Sequence, residues 1–290
     1  MEQHDYLTTR EVADLLRVKE RKVYELAASG ELPCRRLTGK LLFARAEIDA
    51  LLAGGPAAAP AAEPARPDVL VGSHDPLLDW ALRESGSGIA AFFDGSLDGL
   101  ARFSQGAATA CGLHLYEADS GGWNVGHVAG RFAHRPLVLI EWARRRQGLI
   151  SVGEPIATMA GLKGRRVALR QPTAGGRVLF DHLLAEAGLA LADLAAAPSP
   201  ARTETDLAAA VAGGAADAAL GLEAMARQFR LSFTPLVEER YDLLVERRAY
   251  FVPPLQALLA FCRTPAFADQ AAALGGYDIR GFGTVHWNGP

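Results

Sequence analysis

One segment of this sequence is unable to contribute to a folded core. Gly54–Pro67 reads GGPAAAPAAEPARP, in which proline recurs every few residues and large apolar side chains are missing. Such a segment is expected to act as a semi-extended linker, because it offers little apolar surface to bury. The 290-residue chain is therefore predicted to consist of an N-terminal unit at residues 1–53, a linker at 54–67 and a body at 68–290.

Both units have the composition of folded protein. Half of the residues are hydrophobic and 22% are charged, and no uncharged apolar run reaches the roughly 18 residues that a membrane span requires. The first residues carry early acidic groups and no apolar segment before a cleavage site, so no secretory signal is expected. Three scattered cysteines, Cys34, Cys111 and Cys262, suit a reducing compartment. We expect a soluble cytoplasmic protein that does not contact a membrane.

Two short helices are predicted at the start of the N-terminal unit. Thr8–Glu11 has the pattern of a capping box, so the first helix is expected to begin near Thr9. A three-residue turn at Arg17–Lys19 precedes a second helix, which runs from Glu20 until Gly30 stops it. The apolar faces of the two helices are predicted to consist of Val12, Ala13, Leu15 and Leu16, and of Val23, Leu26 and Ala27.

A ribbon and a third helix complete this unit. Residues 32–43 alternate in polarity and turn at Thr38-Gly39, which predicts a two-stranded wing. A closing helix is expected from Arg45 to Leu52. Helix, turn, helix, wing and closing helix in this order are typical of a winged helix-turn-helix, which binds double-stranded DNA.

The N-terminal unit resembles the excisionase and MerR-like winged-helix modules over nearly all of residues 6–52. The resemblance implies that the second helix enters the major groove of an operator and that the wing contacts the DNA backbone. It assigns the DNA contacts, by position, to Arg21, Lys22 and Tyr24 of the second helix and to Arg35, Arg36 and Lys40 of the wing.

Charge alone does not indicate a DNA-binding protein. Residues 1–53 contain nine basic and nine acidic residues, and the whole chain has a net charge of -3. DNA binding therefore depends on where the basic side chains point rather than on their number. The alternative interpretation is that they form the solvated surface of a small protein-protein module.

In the body, a strand, a small polar loop and a helix follow one another three times. Residues 68–72, 89–93 and 166–170 have the pattern of short buried strands. A helix at 205–211, a strand at 216–222 and a pair of strands at 233–236 and 241–245 are expected to follow. This alternation predicts an α/β domain with a largely parallel sheet, whose ligands bind beyond the carboxyl ends of the strands.

The body resembles the type II periplasmic-binding-protein fold, and within it the molybdate-binding-like domain that occurs fused to DNA-binding modules. The matching stretches, in order across about residues 68–280, are GSHDPLLD, FDGSLDGLARFSQGAA, RRRQGLI, RQPTAGGR, AAAVAGGAADAALG and EERYDLL. The fold class is thus expected to be α/β, with a winged helix-turn-helix followed by a two-lobed solute-binding domain. The resemblance implies molybdate or tungstate as ligand, held by hydroxyls and backbone N–H groups at helix N-termini.

Candidate ligand-binding residues lie at the three strand-to-helix loops. Hydroxyls are expected from Ser73, Ser96 and Thr173, although each could be a helix N-cap without any ligand. Close backbone approach is expected at Gly95, Ala174 and Gly175, and a phenol from Tyr241. A second group of candidates consists of His74, Arg170 and Arg177, of which His74 could be a structural hydrogen-bonding group.

Arginine is the ambiguous residue type in this body. Arg144-Arg145-Arg146 is interpreted as a solvated rim or a dimer surface. An arginine turned inward would instead indicate a carboxylate or oxyanion ligand with stronger charge pairing.

Neither a metal site nor a catalytic site is predicted. His114, Asp119, His127 and His134 lack the spacing of metal ligands. The sequence has no GxSxG elbow, P-loop or HExxH motif, and no trio that combines a nucleophile with an ordered base. We therefore expect a protein without cofactor or enzymatic activity.

The combined prediction is a one-component transcription regulator that senses a small oxyanion. A homodimer or higher homo-oligomer is expected, because a single module of this size reads too little sequence for specific control. One alternative is an intracellular molybdate or tungstate binding or delivery protein. Another is a regulator that senses a small organic anion, which an arginine lining the cleft would favour.

Overall fold

The structure is a computed structural model that describes residues 5–37, 39–52, 66–197 and 199–290. The chain divides into two compact units, Met1–Ala65 and Arg66–Pro290. Most of the predicted linker, and Thr38 of the predicted wing turn, lie outside the described residues. Within the described ranges, no helix is both long and apolar enough to span a membrane.

The first unit alternates short strands and helices. Its elements are β1 (Tyr6–Thr8), α1 (Thr9–Leu16), α2 (Glu20–Ala28), β2 (Arg35–Leu37), β3 (Lys40–Ala44) and α3 (Arg45–Leu52). The predicted capping box is confirmed: the Thr8 hydroxyl accepts from the Glu11 N–H, and the Glu11 carboxylate accepts from the Thr8 N–H at 2.7 Å. The chain leaves α1 through Arg17, which adopts the left-handed conformation and so ends the helix sharply.

The core of this unit holds most of the apolar residues predicted for it. Val12, Ala13 and Val23 are buried together with Leu7, Leu32, Phe43 and Ile48. Leu15 was predicted on the apolar face but is 39% exposed, because α1 turns only a narrow stripe towards the core. Strand β1 was not predicted. It pairs antiparallel with β3 in a sheet of order β1-β3-β2, and so adds a third strand to the wing.

The body is built from strands and helices in alternation. Its strands are β4 (Val69–Gly72), β5 (Ala90–Phe93), β6 (Ala110–Leu113), β7 (Tyr116–Glu117), β8 (Gly122–Trp123), β9 (Leu137–Ser151), β10 (Arg166–Ala168), β11 (Ala195–Ala196), β12 (Ala218–Leu222), β13 (Ser232–Glu246), β14 (Tyr277–Asp278) and β15 (Val285–Asn288). Its helices are α4 (Pro76–Glu84), α5 (Ser96–Ser104), α6 (Val125–Phe132), α7 (Gly175–Glu186), α8 (Glu204–Ala212), α9 (Glu223–Gln228), α10 (Pro253–Phe261) and α11 (Pro265–Leu274).

Two long antiparallel strands divide the body into two lobes. The sheet has the order β11-β10-β12-β9-β13-β6-β4-β5, with β14 and β15 also paired to β9. Strands β4, β5 and β6 are parallel to one another, as are β10, β11 and β12, while β9 and β13 are antiparallel to their neighbours. We call residues 66–143 and 241–290 lobe I, and residues 147–237 lobe II.

The prediction of two separate strands at 233–236 and 241–245 is wrong. They belong to one 15-residue strand, β13, with register irregularities at Pro235/Val237 and Tyr241/Asp242. The apolar pattern is interrupted by Glu238, Glu239 and Arg240 because the strand crosses between the lobes there. Two apolar clusters are centred in lobe I and two in lobe II, and Trp123 of lobe I packs into one of the lobe II clusters. The predicted α/β class with a winged helix-turn-helix and a two-lobed body is confirmed.

Candidate functional site

The outer face of α2 carries the three side chains predicted for the major groove. Arg21 is 90% exposed, and its Nε lies 3.2 Å from a carboxylate oxygen of Glu25. The Lys22 ammonium lies 3.6 Å from the same carboxylate, and Tyr24 is half exposed. Val23 is buried against the core. Glu25 therefore partly neutralises the two basic side chains that would face DNA.

The wing residues are also at the surface. Arg35, Arg36 and Lys40 are exposed, on strands paired in the register Arg35↔Leu42 and Arg36↔Leu41. Arg35 donates to the Tyr6 hydroxyl at 3.1 Å, and its guanidinium lies 4.0 Å from the Glu47 carboxylate. The Arg35 guanidinium thus contacts two side chains of its own unit.

In the body, the loops that follow β4 and β5 meet the loops of lobe II. The Leu97 N–H donates to the Thr173 carbonyl at 3.0 Å, and the Thr173 hydroxyl donates to the Asp94 carbonyl at 3.3 Å. Arg202 donates to the Asp94 carboxylate at 2.6 Å. The two lobes are in direct contact across the cleft, so this is a closed conformation.

Small residues permit that contact. Gly95 has φ +106, and a Cβ there would lie 2.8 Å from the Thr173 carbonyl oxygen. A Cβ on Gly175 would lie 2.5 Å from the His114 carbonyl oxygen. Ala174, which is fully buried, is the N-cap of α7. The predicted close-approach residues thus lie where the backbones of the two lobes touch.

A buried chain of three side chains lies beneath this contact. The Ser73 hydroxyl oxygen is 2.8 Å from His114 Nε2, and His114 Nδ1 is 2.7 Å from a Glu239 carboxylate oxygen. Gln147 Nε2 donates to the same oxygen of Glu239 at 3.1 Å. The Ser96 hydroxyl oxygen accepts a hydrogen bond from the backbone N–H of His114 at 3.3 Å. The predicted hydroxyls of Ser73 and Ser96 therefore converge on His114.

The sequence-based statement that no trio combines a nucleophile with an ordered base is wrong. Ser73, His114 and Glu239 have that geometry, and the sequence concealed it because the three residues are widely separated in the chain. Serine hydrolases also require N–H groups directed at the developing oxyanion. The Ser73 N–H donates to the Gly112 carbonyl at 2.9 Å and the Leu97 N–H to Thr173, so neither amide is available in this conformation.

Arg145 corrects the interpretation of the arginine run. Its side chain is 1% exposed; it donates to Asp75 at 2.8 Å and forms an ion pair with Glu239. Its neighbours Arg144 and Arg146 are about half exposed, because successive side chains of a strand point to opposite faces. Burial alone would raise the pKa of the Glu239 carboxyl, but the charge of Arg145 and the contacts with His114 and Gln147 lower it to about 2. Glu239 is therefore ionised.

A second buried ion pair lies in lobe II. Arg170, 3% exposed, pairs with Glu204, which is 1% exposed, and also donates to the Arg202 carbonyl at 2.9 Å. The Glu204 N–H donates across the cleft to His74 Nδ1 at 3.4 Å. Burial lowers the pKa of the His74 imidazole, although the nearby Glu204 and Asp75 carboxylates raise it. His74 therefore accepts this hydrogen bond in its neutral form.

The remaining predicted residues have partners within their own lobe. The Arg177 Nε donates to Asp181 at 2.8 Å, one turn along α7. Tyr241 is fully buried, and its hydroxyl donates to the Ser73 carbonyl at 2.5 Å. Tyr241 thus supports the Ser73 loop from below.

The space beside Gly176, at the N-terminus of α7, is where these groups meet. Atoms of His114, Gln147 and Glu204 each lie 3.9 Å from the position of a Cβ on Gly176. Gln147 Oε1 and Arg170 Nε are buried and have no hydrogen-bond partner within the described part of the chain. A buried acceptor and a buried donor without partners, near the N-terminus of a 12-residue helix, mark this space as the candidate binding site.

Sequence reasoning located the loops of this site but missed four of its side chains. His114, Gln147, Glu204 and Glu239 lie on separate elements and share no spacing in the sequence. The available signal was the polar run in the middle of each long strand, Arg144–Gln147 in β9 and Glu238–Arg240 in β13, since a strand that crosses a domain rarely carries such groups without a role.

The fold and the site together define a class: a winged helix-turn-helix unit joined to a two-lobed solute-binding domain. Residues 79–263 match the family model of the PBP superfamily domain, and residues 6–56 match that of a helix-turn-helix domain. The first match spans more than half of the chain. This protein belongs to the PBP superfamily.

Two bacterial proteins are similar to this chain in sequence. The uncharacterized protein YvgK of Bacillus subtilis (strain 168) is 27% identical over 299 residues, which cover 96% of each chain. An uncharacterized protein in the ferredoxin 2Fe-2S gene 5' region of Clostridium pasteurianum is 34% identical over 80 residues, 27% of this chain and 71% of that protein.

A solved structure supports the fold of the body. A substrate-binding protein of the phosphate ABC transporter type from Clostridium perfringens, with bound phosphate, has a TM-score of 0.52 at 12% identity. The match covers 71% of this chain and 96% of that chain.

Proposed function

We propose that this protein is a cytoplasmic one-component transcription regulator that binds double-stranded DNA through its helix-turn-helix unit and a small anion through its two-lobed body. The observation that carries the proposal is the polar site beside Gly176. Its unpartnered donor, Arg170 Nε, and the N–H groups at the start of α7 favour a negatively charged ligand. The helix-turn-helix match supports DNA binding as the output of such a sensor.

In this proposal, the anion stabilises the closed cleft. Contacts from both lobes lie within reach of one small ligand, so its binding energy favours closure. Closure would reorient the two DNA-binding units of a homodimer and change their fit to a palindromic operator.

Molybdate or tungstate is the ligand that the resemblance of the body implies. Two features support it: the Ser73 and Ser96 hydroxyls border the site, and both buried arginines are already paired with carboxylates. A tetrahedral dianion would then be held mainly by neutral donors and helix N–H groups.

A small organic anion is the second candidate, favoured by Arg170. This arginine is buried in the cleft and retains an unpartnered Nε, and a guanidinium offers planar recognition of a carboxylate or phosphonate. The phosphate bound by the Clostridium perfringens protein adds phosphate to the anions to be compared.

Isothermal titration of the full chain with molybdate, tungstate, sulfate, phosphate and formate tests the ligand. We expect saturable 1:1 binding of at least one tetrahedral oxyanion per chain, and no heat from any of them would contradict the proposal. A mobility-shift assay with DNA upstream of its own gene tests the output. Anion binding without any DNA binding would instead support a binding or delivery protein.

A further inference from the structure

The ionised Glu239 carboxylate determines which group donates in each hydrogen bond of this cluster. Glu239 is ionised and can only accept, so His114 must place a proton on Nδ1. For the same reason Gln147 must turn its amide NH₂ towards Glu239. The carbonyl oxygen of Gln147 is then left in the site as a buried acceptor, without a partner in the described ranges.

Ser73 is subject to the same constraint. When His114 is neutral and Nδ1 carries its proton, Nε2 has only a lone pair, so the Ser73 hydroxyl donates its proton to Nε2 at 2.8 Å. The Ser73 oxygen then offers only lone pairs to a ligand. With neutral His114, two buried oxygens of the site, those of Ser73 and Gln147, accept hydrogen bonds and cannot donate them.

A fully deprotonated oxyanion has only acceptors and would face these two oxygens unfavourably. A single proton removes the conflict at one of these two oxygens. If His114 is doubly protonated, Nε2 donates to the Ser73 oxygen, and the Ser73 hydroxyl is released to donate to the anion. If the anion carries a hydroxyl of its own, that hydroxyl can donate to the Ser73 or Gln147 oxygen.

We propose that the cleft binds its anion together with one proton, which a hydrogen-bearing oxyanion brings with it and which His114 takes up when the anion is fully deprotonated. This inference rests on the proposed function, namely that the cleft binds a small anion. It makes the proton content of the ligand, in addition to size and charge, a determinant of recognition.

The groups around His114 can hold the added charge. His114 bonds to Glu239 and stacks on Tyr241, both from β13; Arg145 from β9 pairs with Glu239 and with Asp75, and Asp75 accepts from Tyr277 of β14. Glu204 from α8, which also borders Gly176, pairs with Arg170, and its N–H donates to His74. Three carboxylates and two arginines are in this set. With neutral histidines the buried cluster therefore has one excess negative charge, which an imidazolium would balance.

Sulfate and phosphate form a matched pair of ligands for the test, because above neutral pH both are tetrahedral dianions and only phosphate retains a proton. Titration calorimetry of the full chain, in two buffers that differ in ionisation enthalpy, counts the protons exchanged on binding. Between pH 7 and pH 8.5 we expect sulfate and molybdate to bind with uptake approaching one proton and with affinity falling towards tenfold per pH unit. Towards pH 8.5, where free phosphate is the hydrogen-bearing dianion, phosphate is expected to bind in that form with no net uptake.

A His114→Gln variant separates His114 from other titrating groups. Its amide does not titrate; as for Gln147, its NH₂ must face Glu239, and its oxygen then accepts from Ser73. The variant is therefore expected to bind sulfate or molybdate without proton uptake, with an affinity that does not depend on pH and is below that of the wild type at pH 7. His182→Gln is the matched control, because His182 lies on α7 with Glu186 as its partner, and it should behave as the wild type.

The outcomes distinguish the two proposals. Binding of sulfate or molybdate by the wild type with no proton uptake and pH-independent affinity would overturn this inference and leave the anion-sensor proposal intact. Failure of every oxyanion to bind would overturn the anion-sensor proposal itself. The proton count of the wild type decides the inference even if His114→Gln does not fold.

Discussion

At the scale of single residues, the site combines burial with mutual charge compensation. Arg145 lies between Asp75 and Glu239, and Arg170 pairs with Glu204, all of them almost fully buried. Breaking such a pair from one side leaves an uncompensated buried charge, which costs more than removing both partners. The ion pairs therefore contribute to the alignment of the cleft as well as to the charge of the site.

The Arg170 pair gives a test that separates folding from ligand recognition. Arg170→Met alone leaves the buried Glu204 carboxylate without its ion-pair partner. We therefore expect this variant to lower the thermal midpoint of the body by several degrees and to weaken anion binding at least tenfold. The double variant Arg170→Met/Glu204→Gln should recover most of the stability but not the affinity. Differential scanning calorimetry and titration calorimetry measure the two effects. Full affinity in the double variant would show that Arg170 does not contact the ligand.

His74 predicts a pH dependence of stability. Because burial lowers its pKa below the ordinary 6.5, the folded state favours the neutral imidazole. The resulting stabilisation is fully present above pH 6.5 and is lost as the pH falls through the lowered pKa. Wild type should therefore lose stability towards pH 5 more steeply than His74→Asn, whose side-chain oxygen can accept from the Glu204 N–H without titrating. Urea unfolding at a series of pH values measures the difference, and parallel slopes would exclude His74 as the group.

At the scale of elements, the loops between strands and helices decide both closure and DNA contact. The N-termini of α5 and α7 approach each other across the cleft because Gly95 and Gly175 lack side chains. In the other unit, α2 turns its charged side chains outward because Val23 and its apolar neighbours bind it to the core.

Gly95→Ala is expected to oppose closure. The added Cβ would lie 2.8 Å from the Thr173 carbonyl, so the open form should be favoured and anion affinity should fall at least tenfold. Gly153→Ala is the matched control: Gly153 also has a positive φ, +74, but its Cβ would contact no atom within 4 Å. Both variants place a Cβ on a residue with positive φ, and only Gly95→Ala adds a contact with the other lobe. Small-angle scattering should show a larger radius of gyration than the wild type for Gly95→Ala only. Equal radii of gyration for the two variants would contradict this role of Gly95.

The α2 surface predicts opposite effects of two single substitutions. Glu25→Gln removes the carboxylate that contacts Arg21 and Lys22 and should strengthen DNA binding. Arg21→Gln should weaken it and reduce the slope of log affinity against log salt by about 1 if Arg21 neutralises one phosphate. Arg83→Gln, at an exposed site on the body, is the control. Titration of a fluorescent duplex at several salt concentrations measures all three, and identical curves would favour a protein-protein role for this face.

At the scale of the whole molecule, a sensor requires energetic coupling between its two units. If the anion changes DNA affinity by some factor, DNA must change anion affinity by the same factor. We expect a coupling of 5- to 150-fold, the range typical of such regulators. Anion titrations with and without operator DNA measure one side, and duplex titrations with and without anion measure the other. If the anion and DNA bind independently, the two units are not coupled, and the proposal that the anion regulates DNA binding would be contradicted.

Much of the fold could be predicted locally. The capping box at Thr8–Glu11, the helix bounds of α1 and α3 and the strand-loop-helix order of the body each depend on residues close together in the sequence. Strand β13 was divided in the prediction because its central residues are polar where it passes between the lobes. The polarity of neighbouring residues predicts a strand only where burial follows the local sequence. In the centre of β13, burial depends instead on residues from other elements.

The candidate site shows the same division more sharply. The sequence by itself determined which loops would lie at the carboxyl ends of the strands, since small and hydroxyl residues there follow from turn and helix-cap geometry. Only the tertiary structure decided that Arg145 points inward between Asp75 and Glu239, and that His114 joins Ser73 to Glu239. The physical reason is that local backbone preferences act over a few residues. The pairing of buried charges is fixed by which strands and loops the closed lobes bring within a few ångströms.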